Sequence, residues 1–304
     1  RPLAPFGRRR GVVLARASVG AYVVLAVDDP AGLLHPPDPG QFYMLAATDR
    51  WGAGDGERPF LPRALSVMRA SEGVVQFLLE DVGPGTRRLC ELGTGDELWL
   101  TGPLGAGFRP TDRTPVLVGG GVGIAPLAIL QDAIGAGGGP DGPGAGGPPG
   151  AVTAAGGRPG AILEAGRRPG AVTQAGGRPG TDGSIGATLV GFRDADHADG
   201  AGLLRDARIA TDDGSVGHHG RVTDLLDRLW DQTIEVYACG PPAMLEAVRR
   251  LAADHDVPAQ LALESPMACG FGACYGCVVA TRDGYRRVCV DGPVFAAADL
   301  EAVA

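Results

Sequence analysis

Long apolar runs, a positive charge balance and evenly scattered cysteines are all missing from this sequence, and each absence removes a class of function. No window of the 304 residues supplies the ~18 apolar residues of a membrane span, so no membrane-embedded segment is expected. The formal net charge is −8, from 27 Lys and Arg against 35 Asp and Glu. That balance gives no general affinity for nucleic acid or for an anionic membrane. A clean export signal is lacking too. Arg8-Arg9-Arg10 precedes the apolar Gly11–Leu14, but Arg16 interrupts the stretch and Tyr22–Val27 continues as strand-like sequence. A strand is the expectation there, and the cytoplasm the expected location, since reduced thiols suit it. The chain begins at Arg1 rather than Met, and a longer natural start is expected.

Cysteine is scarce, with 6 in the chain, yet four of them crowd together as Cys269, Cys274, Cys277 and Cys289. Their spacing is C-x4-C-x2-C-x11-C, and the first three positions reproduce the plant-type run that holds a [2Fe-2S] cluster. Four thiolates must converge on two irons, so the backbone has to wrap closely and turn its N–H groups toward sulfur. Gly270, Gly272, Ala273 and Gly276 leave room for that. Structural zinc usually shows two short Cys pairs, and disulfides need an oxidising compartment. Cys90 has no motif around it and reads as a core residue.

A chain of this length should hold two or more domains. Residues 10 to 108 alternate short strand-like runs (Gly11–Leu14, Tyr22–Val27, Gln41–Ala46, Ala64–Met68, Val74–Leu79 and Glu97–Leu100) with Pro, Gly and Asp clusters. That rhythm predicts a small closed β-barrel. Next, an apolar strand at Pro115–Val118 runs into Gly119-Gly120-Gly121-Val122-Gly123 and a helix containing Pro126. Free N–H groups at such a turn favour a dinucleotide phosphate, although G-x-G-x-x-P departs from the standard fingerprint. Residues 135 to 183 are Gly, Pro and Ala with a ten-residue unit repeated three times, and a disordered insertion is expected there. The sheet resumes at Ala187–Val190, and Arg193 beside Asp194 leaves the choice of NAD or NADP open. Asp212-Asp213-Gly214 reads as a turn, His218 and His219 as loop residues, and Thr223 as the cap of a helix with Leu225, Leu226, Leu229 and Trp230 on one face. Ile234–Cys239 is a buried-type strand that ends in Cys239-Gly240-Pro241.

Pro62-Arg63-Ala64-Leu65-Ser66 resembles the Arg-x-x-Ser signature of the ferredoxin-reductase-like flavoproteins, and Gly83-Pro84-Gly85-Thr86 resembles the turn that follows it. G-x-G-x-x-P is also that family's form. The resemblance implies that Arg63 pairs with the FAD pyrophosphate, as a planar bidentate cation can. It further implies FAD contacts at Ala64, Leu65, Ser66, Gly85 and Thr86, with Leu78, Leu79 and Glu80 lining the flavin through their backbone. Leu79 and Glu80 replace the aromatic and basic residues common at those places. For NAD(H), the implied contacts are Gly119, Gly120, Gly121, Gly123, Pro126, Cys239, Gly240 and Pro241, with Cys239 near the nicotinamide.

Glu264–Cys269 and Arg286–Phe295 complete a resemblance to the electron-transfer subunits of the NAD-linked, class 1B dihydroorotate dehydrogenases. The fold class this implies is multi-domain β plus α/β: an antiparallel FAD-binding barrel at 1–110, a Rossmann-like parallel-sheet domain at 111–262 and a small [2Fe-2S] domain at 263–304. It also implies a partner, an FMN-containing catalytic subunit that oxidises dihydroorotate in pyrimidine biosynthesis, in a heterotetramer of two chains of each kind. Electrons would pass singly through the cluster to FAD and leave as hydride to NAD⁺. Reductase subunits of hydrogenases, oxygenases or ferredoxin:NAD(P) oxidoreductases are the alternative reading, and a non-catalytic metal-binding scaffold is the alternative from another class.

Overall fold

Short apolar strands cut by turn clusters build the N-terminal barrel, and the first of them alternates. In β1 (Arg9–Val19), Gly11, Val13 and Ala15 are buried while Val12, Arg16 and Ser18 face out. In this computed structural model, which describes residues 7–52, 59–135 and 185–303, five further strands close the sheet. They are β2 (Tyr22–Asp28), β3 (Phe42–Ala47), β4 (Arg63–Ser71), β5 (Val74–Glu80) and β6 (Glu97–Leu104), with helix α1 (Pro84–Cys90) between the last two. The barrel order is β1-β2-β5-β4-β3-β6, and every pairing is antiparallel. Leu25, Tyr43, Leu45, Phe77, Leu79 and Leu100 fill its interior.

One charged pair lies within that interior. Asp29 is fully buried and takes two bonds from Arg9, Nε to Oδ1 and Nη2 to Oδ2, both 2.6 Å, with the Tyr43 hydroxyl donating at 2.9 Å. Removing one partner of a buried pair strands the other, at a cost of about 3 kcal/mol. Asp29→Ala should therefore lower the unfolding free energy by that amount, read as a lower denaturant midpoint at unchanged slope, and an unchanged midpoint would show that the pair is structurally idle.

The second domain is a seven-stranded sheet. Its strands are β7 (Thr114–Gly120), β8 (Ala187–Phe192), β9 (Ala207–Thr211), β10 (His218–His219), β11 (Ile234–Cys239) and β12 (Ala259–Ala262), joined by α2 (Ala125–Gly135), α3 (Ala195–Ala198), α4 (Val222–Leu226) and α5 (Pro242–Asp254). β7, β11 and β8 read as near-continuous apolar runs because helices cover both faces of a parallel sheet. The C-terminal segment divides. β13 (Val278–Thr281) and β14 (Gly284–Arg287) form a hairpin, α6 (Val288–Asp291) follows, and β15 (Val294–Ala296) crosses the boundary expected at 263 to pair antiparallel with β12. The full order is β10-β9-β8-β7-β11-β12-β15.

Three local expectations meet different outcomes. α4 starts two residues earlier than a Thr223 cap suggests: the Arg221 N–H donates to Asp224 Oδ2 at 2.8 Å, so Asp224 closes the helix start and Thr223 lies within it. Val222 and Leu226 are buried and Leu225, Leu229 and Trp230 pack against the same core, but α4 ends at Leu226, so Leu229 and Trp230 lie past the helix and not on its face as expected. His218 and His219 form the parallel edge strand β10 and are not in a loop. The Gly/Pro/Ala-rich stretch 135–183 lies, after Gly135, outside the described residues, between the end of α2 and the start of β8. Among the described residues no helix is long and apolar enough to cross a membrane.

Candidate redox site

Arg63 opens β4 at the barrel rim. Its Nη1 donates to the Leu61 carbonyl at 2.7 Å, and its guanidinium carbon stands 5.8 Å from the Trp51 ring centroid. Among the described residues no carboxylate pairs with it, which leaves most of its donors available. A Cβ on Gly85 would fall 2.2 Å from Arg63 Nε, so glycine is what lets the guanidinium lie against the first turn of α1. Thr86 ties that turn together: its hydroxyl accepts from the Val82 N–H at 3.0 Å and donates to the Gly83 carbonyl at 3.1 Å. A bare cation over a glycine cradle fits a pyrophosphate.

The side chains further along β5 point elsewhere. Leu79 is wholly buried inside the barrel, while Leu78 faces out and packs with Tyr22, Val24 and Met68 in the core shared with the second domain. Neither side chain can stack on a flavin, so any contact there is through the backbone. The Glu80 carboxylate reaches Arg193 and His197 across the domain interface.

A crevice that suits a dinucleotide forms where the chain reverses its direction of travel along the sheet. From β7 the sheet extends to β8 on one side and β11 on the other, and ligands bind at the carboxyl ends of strands at such a switch point. Gly119 and Cys239 are partners in the parallel β7–β11 register, which brings the two turns together. Added Cβ atoms would strike Met244 Sδ at 2.8 Å from Gly120, the Cys239 carbonyl at 2.4 Å from Gly123 and the Gly120 N at 2.9 Å from Gly240. Gly121 holds φ +54°, which lets the chain turn into the short 3-10 segment Gly121–Ile124. Pro126 is buried in the first turn of α2, and Pro241 stands just ahead of α5. Burial first, and Glu264 second, push the Cys239 thiol well above its ordinary value, so it is a neutral small side chain and no nucleophile. Glu264 keeps solvent-accessible surface yet is crowded by protein atoms, and that desolvation raises its carboxyl pKa.

The cysteine loop lies against the barrel. Gly270 and Gly272 adopt φ +78° and +85°, conformations that favour glycine. A Cβ on Gly270 would fall 2.5 Å from Met44 Cγ in β3. Met44 is the cross-strand partner of Ala64 in the Arg63–Ser66 segment. The four thiols form two pairs, Cys269 with Cys274 and Cys277 with Cys289. Backbone N–H groups point at sulfur: Gly276 to Cys274 and Cys289 to Cys277, each at 3.4 Å. Burial raises the Cys269 thiol, but the N–H of Phe271, Cys274 and Ala273 outweigh it and bring the pKa down to about 6. Burial, then the Cys277 neighbour, push Cys289 up to about 12. Among the described residues no three His, Cys, Asp or Glu converge on one point as a mononuclear metal site would need. Two thiol pairs with N–H donors to sulfur fit a two-iron cluster better than a single zinc. Cys274 is exposed, as are Phe271 and Tyr275, while Cys277 and Cys289 are buried. Arg287 steadies the exposed side, with its guanidinium 5.2 Å from the Tyr275 ring and bonded to the Gly272 carbonyl at 3.3 Å.

Trp51 beside Arg63, His197 and the link between Glu80 and Arg193 were invisible to sequence reasoning. Neither Trp51 nor His197 carries a motif, and Glu80 and Arg193 are 113 positions apart.

Comparison with known proteins gives this arrangement a family. Residues 264–301 match the iron-sulfur cluster binding domain of dihydroorotate dehydrogenase B. The chain is 30% identical over 264 residues to the dihydroorotate dehydrogenase B (NAD(+)) electron transfer subunit of Clostridium acetobutylicum, covering 86% of this chain and 85% of that protein. It is 32% identical over 277 residues to the same subunit of Listeria monocytogenes, covering 86% and 87%. In fold it is similar to the NADH-dependent reduced ferredoxin-NADP oxidoreductase structure, with TM-score 0.69 at 22% identity over 97% of this chain and 91% of that one. It is also similar to the ferredoxin NADP+ reductase of Neisseria gonorrhoeae, with TM-score 0.51 at 16% identity over 82% and 91%. By its identity to these relatives over nearly their whole length, the chain belongs to the family of dihydroorotate dehydrogenase B (NAD⁺) electron-transfer subunits.

Proposed function

We propose that this chain carries electrons from a separate dihydroorotate-oxidising, FMN-containing subunit to NAD⁺ in pyrimidine biosynthesis, as one of the two kinds of subunit in a cytoplasmic heterotetramer. The observation that carries this reading is the contact of Gly270 on Met44, itself paired with Ala64, which sets the cysteine loop against the strand that begins with Arg63. When bound, the cluster supplies one-electron exchange and FAD supplies two-electron exchange with nicotinamide. The protein's part is positioning. Arg63 holds the FAD pyrophosphate over Gly85, with Ser66 and the backbone of Ala64, Leu65, Leu78, Leu79 and Glu80 along the flavin and Thr86 fixing the turn. Gly119, Gly120, Gly121 and Gly123 admit the dinucleotide, Pro126, Gly240 and Pro241 shape the crevice, and neutral Cys239 packs beside the nicotinamide. Cys269, Cys274, Cys277 and Cys289 hold the iron.

The exposed side of the loop, Phe271, Tyr275 and Val290, is the face offered to the partner. Mixing this chain with the FMN subunit should give dihydroorotate-dependent NAD⁺ reduction that neither shows alone. Tyr275 sits at φ +56°, which asparagine tolerates. Tyr275→Asn should weaken the complex and slow that reaction about tenfold or more, the ordinary effect of losing an aromatic anchor, while NADH still bleaches the flavin of the isolated chain. A variant that assembles and transfers at the wild-type rate would remove the loop from the interface.

A further inference from the structure

Arg193 and Asp194 follow β8, the place where a carboxylate reads a ribose 2′-hydroxyl or an arginine takes a 2′-phosphate. The structure tells the two apart. Arg193 Nη2 lies 2.5 Å from Glu80 Oε1, at the last residue of β5 in the flavin barrel. The same guanidinium contacts His197, with Nε 3.3 Å from Nδ1 and Nη2 against Nε2. His197 Nε2 is itself 3.3 Å from Glu80, and the Tyr22 ring packs edge-on to the imidazole at 5.6 Å between centroids. The β1–β2 turn closes onto the same corner, with the Ala21 N–H donating to the Asp196 carbonyl at 3.2 Å. Asp194 is held differently. Its Oδ1 accepts from the His197 N–H at 3.0 Å and faces Nδ1 at 2.6 Å, while Oδ2 stands 3.8 Å from Arg193 Nε.

We propose that Glu80 sets the preference for NAD⁺ over NADP⁺ by drawing the Arg193 guanidinium into an ion pair across the domain interface, away from the ribose subsite. The proposal rests on the reading that the β7–β8 crevice holds a nicotinamide dinucleotide. A 2′-phosphate needs a cation with free, convergent donors. Here Arg193 commits Nε and Nη2 to Glu80 and His197, which turns its fork toward the barrel, and the Glu80 and Asp194 carboxylates would repel a phosphate at that corner. A 2′-hydroxyl meets no such repulsion, and Asp194 Oδ2 can accept from it. The barrel thereby influences nucleotide choice through a contact that neither domain would contain alone.

Calorimetry on the purified full chain with ADP-ribose and with 2′-phospho-ADP-ribose tests this without any turnover. The wild type should bind ADP-ribose more tightly. In Glu80→Ala the ratio of the two affinities should shift roughly tenfold toward the phosphorylated probe, the worth of one charge-assisted bond. Adding Arg193→Ala should erase that shift. If Glu80→Ala is poorly folded by thermal unfolding, Glu80→Gln keeps the shape, removes the charge and should move the ratio the same way. A folded Glu80 variant whose ratio does not move, or a shift that survives loss of Arg193, overturns the proposal while leaving the dinucleotide site intact. If the wild type binds neither probe, the crevice reading fails and takes the proposal with it.

Discussion

Cys277→Ser should abolish the rhombic iron–sulfur resonance while NADH still bleaches the flavin, and dihydroorotate-dependent NAD⁺ reduction should fall well beyond a hundredfold. Residues that merely support a metal ligand cost about 10–100-fold when removed, and a ligand itself costs more. Cys277 is 2% exposed, pairs with Cys289 and accepts the Cys289 N–H, so its sulfur stands at the inner end of the loop. Serine preserves the shape but is a poor ligand for iron beside thiolates. The nucleotide crevice and Arg63 lie on other elements, which is why flavin reduction should survive. Cys90→Ser is the control. Burial raises that thiol to about 11, it sits at the end of α1 away from the loop, and both signals should persist.

Arg63→Ala should release FAD. Truncating one side of a buried, hydrogen-bonded charge pair costs about 2–5 kcal/mol, and even the lower value is roughly 30-fold in Kd. Among the described residues Arg63 makes a single hydrogen bond, to the Leu61 carbonyl, so thermal stability of the flavin-free chain should barely change. Gly85→Ala should reproduce the flavin loss with the arginine intact, because the new Cβ would occupy space 2.2 Å from Nε and drive the guanidinium off its cradle. Flavin retained after gel filtration, compared across the three proteins, reads both effects. Full retention in Arg63→Ala would assign the arginine to the surface.

Local chemistry made much of this molecule legible before its shape was known. Each of the six barrel strands appears where a short strand-like run between Pro, Gly and Asp clusters put it, because such clusters end strands at turns. The cysteine spacing and the Gly121-x-Gly123 turn were legible because thiolate ligation and close backbone approach admit few residue types. Long-range placement was not legible. Val294-Phe295-Ala296 is too short to declare which strand it joins, and only the structure pairs it with β12. Leu79 in place of an aromatic signalled a change at the flavin but not that the side chain fills the barrel. Glu80 read as an odd replacement for a basic residue, and its meaning lies in Arg193, across the domain interface. A helix after Gly220 was foreseen while its cap and its end at Leu226 were not, because Thr223 and Asp224 are both good first-turn residues and the fold chose the carboxylate.

The most direct test of the central claim, that one chain joins a flavin to an iron–sulfur centre through the packing of Gly270 on Met44, is an anaerobic NADH titration followed by absorbance and electron paramagnetic resonance. The account predicts that the flavin bleaches and that a rhombic [2Fe-2S] signal grows with it as NADH is added. Flavin reduction with no cluster signal at any stage would contradict it.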